Sequence, residues 1–272
     1  MLNENNLILL DNARSALTEE KNTALVKESY AFINTAEIVS RFERQGWLLS
    51  NARQAKVKNQ ARQGYQKHLL QFRNSAYSRI NGLDDNNASI PELIVENSHD
   101  GTAALKIYFG VFRIACLNGL IAGSNFSSFR VIHSQNSVKR IDESIDMMTD
   151  SIPGLIGKVE KYSKIELNGN TQLLLAEKMT ALRLENTKHV EKIDLQRALN
   201  PRRLTDTDTD AYSVFNVLQE KVIRGGISFQ QVNPLTNELT WKNTRPITSV
   251  SQSVKLNRSM WDSLEEVVNA VS

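Results

Sequence analysis

The 272-residue chain has one cysteine, Cys116, so no disulfide can form within it, and a reducing, cytosolic compartment is expected. Long apolar runs are missing too. The N-terminal stretch NLILL is short, follows Glu4, and lacks both the basic flank of a signal peptide and the roughly 18 apolar residues of a spanning helix. A soluble protein with no membrane partner is expected. There is no Walker or dinucleotide fingerprint, no internal repeat and no low-complexity tract. Arg224-Gly225-Gly226 follows a helical stretch instead of preceding one, which suits a C-cap and not a phosphate cradle.

The most informative absence is local. Residues 44–79 hold eight Lys/Arg (Arg44, Arg53, Lys56, Lys58, Arg62, Lys67, Arg73 and Arg79) and no Asp or Glu, in a chain with 30 acidic residues. Residues 1–43 carry a net −3 and residues 80–272 a net −2, so this short segment supplies all of the overall +3. Two explanations are open: an anion-binding face, or a solvated edge strand whose lysines guard against aggregation.

What is present reads as an α+β protein: an antiparallel sheet with flanking helices in the N-terminal half and a mostly helical C-terminal half. Residues 1–30 form a polar, peripheral arm or helix. Residues 31–135 form an α+β core domain carrying the basic strands, with 136–200 helical and 201–272 a helix, a hairpin-like segment and a final helix packed on the core. In INTAEIVSRFERQGW, Asn34 or Thr35 caps a helix whose Ala36, Ile38, Val39 and Phe42 share a side, and Gly46 ends it. Strands follow at Trp47 to about Val57 and at Tyr65 to Arg73, joined by KNQARQG. A hairpin turns at His99-Asp100-Gly101, since Asp-Gly suits a tight turn. FSSFRVIHS is a further strand. Residues 138–186 are helical, broken at Pro153-Gly154 and at LNGN, and the Thr-Asp run before Ala211 caps the next helix.

Candidate chemistry is sparse. Cys116, His99, Asp100 and His133 surround the hairpin, but a nucleophilic thiolate needs a base within hydrogen-bond reach, and Cys116 sits in the apolar stretch FRIACLNGL, where a structural role is commoner. Their spacing matches no zinc pattern, and the paired carboxylates lie in polar, solvated settings. No metal and no cofactor are expected. Nucleic acid fits better, because cations that neutralise phosphates alternate with aromatics on which unpaired bases stack. The candidate phosphate contacts are Arg53, Lys56, Lys58, Arg62, Lys67 and Arg73, and the candidate stacking residues are Trp47 and Tyr65.

At ENSHDGTAALKIYFGVFRIACLNGL the chain resembles a phage- and plasmid-associated prokaryotic family that carries only a domain-of-unknown-function label, DUF 932. The resemblance rests on Asn97-Ser98-His99-Asp100-Gly101 and on the block with Phe112, Arg113, Cys116, Asn118, Gly119 and Leu120. Pro201-Arg202-Arg203, Gly225-Gly226, Arg245-x-Ile247-Thr248 and Leu256-Asn257 follow in order. It implies a mobile-element setting in a bacterial host cell and leaves His99, Asp100, Arg113, Cys116 and Asn118 as motif residues without a role. The order of elements is also similar to that of single-strand annealing proteins of the Rad-fifty-two and phage-recombinase type. The expected function is therefore non-enzymatic binding of nucleic acid, with single-stranded DNA favoured, by a homo-oligomeric ring or filament. The alternatives are a protein-interaction module that blocks a host protein, such as a defence complex, and a Cys116-dependent enzyme.

Overall fold

A computed structural model describes residues 2–77, 89–113, 123–131, 137–203, 206–247 and 250–271. The chain divides into two compact units. The described residues of one lie within Met1–Arg79, Ile90–Val111 and Ser127–Pro153, and those of the other within Ile80–Ser89, Phe112–Phe126 and Gly154–Ser272.

The first unit opens with α1 (Glu4–Leu10) and a 3-10 stretch, Asp11–Leu17. These residues are not peripheral. Leu10, Ala13 and Ala16 are fully buried, the stretch packs on the first strand, and Ser15 N donates to Gln54 Oε1 at 2.9 Å. Small side chains allow that close approach and also keep the segment looking polar. Helix α2 (Thr35–Arg44) begins where Asn34 Oδ1 accepts from the N–H groups of Ala36 and Glu37. It buries Thr35, Ile38, Val39 and Phe42, the three- and four-residue spacing of one helical face. Gly46, at φ +82°, then turns the chain into β1 (Trp47–Gln54).

Strand β1 pairs antiparallel with β2 (His68–Asn74), with a bulge between Leu49 and Asn51, and β2 pairs antiparallel with β3 (Ser89–Asn97). With β4 (Leu105–Arg113) and β5 (Gly123–Val131) they form a five-stranded sheet in the order β1-β2-β3-β4-β5. One face puts His68, Leu70 and Phe72 beside Leu93, Val95 and Asn97, and the Phe72 ring meets Phe42 of α2 at 4.5 Å. Strands β3 and β4 are neighbours, but residues 98–104 connect them, a longer loop than a tight Asp-Gly turn. Side chains supply its hydrogen bonds: Asp100 Oδ1 accepts from Thr102 N at 3.0 Å, and Ser98 Oγ accepts from Ala103 N at 2.9 Å.

Helix α3 (Ser137–Tyr162) continues through Pro153, where a break is expected from the sequence. An interior proline costs about 3 kcal/mol. The buried stripe of Ile145, Met148, Ile152, Leu155, Val159 and Tyr162 spans that position, and each such side chain is worth roughly 1.5–3 kcal/mol, so packing prevails.

The second unit contains α4 (Gly169–Leu184), β6 (Val190–Ile193), α5 (Leu195–Leu199), α6 (Ala211–Arg224), β7 (Ser228–Val232), β8 (Leu239–Asn243) and α7 (Val250–Val271). Asn168 caps α4 and Asp210 caps α6. Trp261 of α7 packs edge-on to Phe215 of α6 at 5.5 Å and donates to Glu265 Oε1 at 2.9 Å. Strands β6, β7 and β8 form an antiparallel sheet in that order. β6 has no sequence signal, being four residues long without apolar alternation.

Gly225, at φ +81°, ends α6 where an added Cβ would lie 2.5 Å from the Thr244 carbonyl oxygen. Gly225→Ala is therefore expected to cost about 2 kcal/mol or more in urea unfolding, with loss below about 0.5 kcal/mol counting against the packing described.

Candidate functional site

Strand β2 is an inner strand, and its register explains half of the charge pattern. Arg73 lies directly opposite Glu92 of β3 and pairs with it at 2.5 Å. Lys67 reaches Glu96 at 2.8 Å, and Arg62, in the β1–β2 connection, reaches Asp100 at 3.6 Å. These carboxylates are 2%, 0% and 5% exposed. Further polar groups complete the face: Tyr108 Oη donates to Glu96 Oε2 at 2.8 Å, Gln71 Nε2 to Glu92 Oε2 at 3.4 Å, and Asn51 Nδ2 to Gln71 Oε1 at 2.6 Å. Burial pushes the Glu92 carboxyl above its usual range, and Arg73 opposes that shift. Arg62, Lys67 and Arg73 thus have carboxylate partners within the fold.

The remaining three candidates differ. Arg53, Lys56 and Lys58 make no ion pair among the described residues. Arg53 is half-buried on β1 opposite Leu69, and burial lowers its guanidinium pKa. Lys56 and Lys58 are exposed on the β1–β2 connection. That connection is anchored: Thr18 Oγ1 donates to Gly64 O at 2.5 Å, Asn22 Nδ2 to Ala61 O at 3.0 Å, and His99 N to Tyr65 O at 2.9 Å. Its two lysines therefore stand on a held loop.

Trp47 does not offer a stacking face. It is fully buried, 6.2 Å from the Tyr77 ring, because the strand alternation turns it into the core. Tyr65 is half-buried. Trp241, on β8, is 52% exposed, whereas Trp47 and Trp261 are buried. Register places Trp241 beside Gln230 and Gln230 beside Lys192 in one row across the three-stranded sheet. Alternation in the sequence does not signal it, because every residue of β8 is exposed.

His99 belongs to a second constellation, entirely buried. Thr35 Oγ1 lies 2.9 Å from His68 Nε2, 3.2 Å from His99 Nε2 and 3.0 Å from Asn97 Nδ2. His68 Nδ1 lies 3.2 Å from Gln66 O and 3.1 Å from Ser15 Oγ. Burial drives the His68 pKa down to about 4, with the Gln66 carbonyl and Asp100 opposing, so the ring is neutral near pH 7. A carbonyl only accepts, which assigns the His68 proton to Nδ1. The Thr35 hydroxyl then donates to His68 Nε2 and accepts from His99 Nε2 and Asn97 Nδ2. Every polar atom of that hydroxyl is engaged, and the cluster is closed to substrate. It joins the N-terminal segment, α2, β2 and the β3–β4 loop.

Asp100 serves the same loop, accepting from Thr102 and pairing with Arg62. Arg113 ends β4, and its side chain lies outside the described residues, as do Cys116, Asn118 and His133. Among the described residues no group of His, Cys, Asp and Glu is placed to hold a metal ion, and no helix is long and apolar enough to cross a membrane.

A family model described as a domain of unknown function, DUF932, matches residues 23–261. Two proteins of Escherichia coli (strain K12), UPF0380 protein YafZ and UPF0380 protein YfjQ, are each 28% identical over 247 residues, covering 91% of this chain and 85% of theirs. No solved structure matches the chain.

Two outcomes follow from this geometry. The His68 pKa is about 4 when folded and about 6.5 when unfolded, so its stabilising contribution is complete above pH 6.5 and is lost as pH falls toward 4. The loss is about 3 kcal/mol, and His68→Gln is expected to flatten the pH dependence of urea stability over that window. Lys67→Met leaves Glu96 short of its cation and is expected to lower stability by about 1–3 kcal/mol; an unchanged unfolding midpoint would show that Lys67 is free to serve a ligand.

Proposed function

The chain belongs to the DUF932 family, whose description supplies no activity to inherit, and from its own surface we propose that it binds nucleic acid, single-stranded DNA first, through the β1–β2 connection. The observation that carries this reading is the state of Lys56 and Lys58: exposed, outside any described ion pair, on an anchored loop within a segment that has no acidic residue. Arg53 stands behind them on β1. Phosphate neutralisation needs cations that are not already matched by carboxylates, and these fit. Arg62, Lys67 and Arg73 support the loop and sheet from within.

Tyr65, half-buried at the end of the same connection, is the aromatic in reach of a base. Binding that grips phosphates and leaves bases free suits strand annealing. A homo-oligomer, in a phage or plasmid setting, completes it.

The test is fluorescence anisotropy of a labelled unstructured single strand and a matched duplex, at about 50 and about 200 mM salt, where phosphate-driven binding changes steeply. Wild type is expected to prefer the single strand and to weaken sharply with salt. Lys56→Ala with Lys58→Ala is expected to weaken binding to all sequences alike and to reduce the salt slope by about 0.7 per lysine. No binding at the lower salt sinks the proposal and directs the search to an acidic host protein.

A further inference from the structure

Three sequence motifs that the β1–β2 connection does not use meet at one junction in the second unit. Arg202, of Pro201-Arg202-Arg203, donates from Nη2 to the Gly225 carbonyl at the end of α6. Gly226 N donates to Thr244 O, and Ile247 N to Ile223 O, each at 2.9 Å. Arg183 Nη2 of α4 donates to Arg245 O at 3.0 Å. An added Cβ at Gly226 would lie 2.9 Å from Arg202 Nη2, so glycine leaves the room that the guanidinium occupies.

The junction concentrates one sign of charge. Arg197 comes from α5, Arg202 from the linker after it, and Lys221 and Arg224 from the last turn of α6, which packs on α5. Glu220 is taken by Arg224 at 2.6 Å. Asp194 caps α5, accepting from Arg197 N at 3.0 Å. Helix C-termini favour cations, each end contributing roughly half a negative charge. With Glu220 and Asp194 so engaged, Arg197, Arg202 and Lys221 make no ion pair among the described residues. Burial, then Arg202 and Arg197, hold the Lys221 ammonium below the usual lysine range, with Glu220 opposing. A fold that crowds like charges beside a partly desolvated lysine accepts an electrostatic cost that an anion would relieve.

We propose that Arg197, Arg202 and Lys221 form a phosphate-binding site in the second unit, separate from the β1–β2 connection. Arg197 and Arg202 are exposed and offer guanidinium forks, and Lys221, half-buried on the last turn of α6, adds a point charge. The ligand is a phosphate group, presented by a nucleic-acid backbone or by a free polyphosphate.

Isothermal titration of the full chain with inorganic pyrophosphate at low salt tests the site. Wild type is expected to bind. Arg197→Gln with Lys221→Gln, which removes no hydrogen bond described above, is expected to bind about tenfold more weakly or worse, with an unchanged or higher thermal midpoint. Lys56→Ala with Lys58→Ala is expected to bind pyrophosphate as wild type does, so the two sites fail separately. No pyrophosphate binding by wild type, or equal binding by the Arg197/Lys221 variant, overturns the site. Competition of pyrophosphate by an unlabelled single strand identifies a nucleic-acid backbone as the source of the phosphate, and its absence identifies a free polyphosphate.

Discussion

A carboxylate with no exposed surface, Glu96, lies on the middle strand of the larger sheet, and polar neighbours converge on it. Burial of an isolated carboxylate costs several kcal/mol after relaxation, more than the margin by which many domains are stable. Lys67 at 2.8 Å, Tyr108 Oη at 2.8 Å and Lys106 at 3.9 Å surround it. Arg73 pairs with Glu92, four residues earlier on β3. A one-residue slip of β2 against β3 would turn Lys67 and Arg73 to the other face and leave both carboxylates without their cations. The ion pairs therefore specify register as well as contributing energy, and they explain why acids are absent from β2: the acids stand on the next strand.

The same sheet's other face is fixed by a hydroxyl. Thr35 begins α2, and its Oγ1 meets His68 of β2 together with His99 and Asn97 at the end of β3. Ser15, from a segment with little hydrophobic character, reaches His68 from the far side. In a dry interior the Thr35 hydroxyl and the His68 ring nitrogens must keep these partners, because water is not there to replace one that is lost. That requirement ties four separate stretches of chain to one arrangement. His99 and Asp100 are thereby tied into the fold.

Much of the fold was legible locally. Asn34, the Ile38-Val39-Phe42 stripe and Gly46 announce α2 within a dozen residues, and the Asp210 cap announces α6. Strands β1 and β2 and the β3–β4 pairing also follow from neighbouring residues. What local pattern could not carry was anything settled by partners distant in sequence. Glu92, Glu96 and Asp100 meet their cations only after β3 docks on β2. Pro153 stays helical because a buried stripe runs past it. Trp47 looks like a stacking residue beside basic neighbours until the sheet assigns it to the core. Trp241, by contrast, is exposed on a short strand with no buried position, which its apolar Leu239 and Trp241 do not announce.

The candidate site was legible as a segment but not as a set. Charge density alone weighs Lys56 and Arg73 equally, yet their environments differ in the quantity that matters for an anionic ligand. A cation already matched to a buried carboxylate must give up that partner before it can hold a phosphate, and the exchange exposes an unpaired buried charge. A cation on an exposed loop exchanges only water and mobile counterions, whose release favours association. By that criterion the useful cations of β1 and β2 lie at the connection between them, where the loop's hydrogen bonds limit the entropy lost on binding. Around Arg202, Glu220 is committed to Arg224 and Asp194 to a helix cap, so on the site proposed above Arg197 and the Arg202 donors not bonded to the Gly225 carbonyl are the groups that would take an anion from solution.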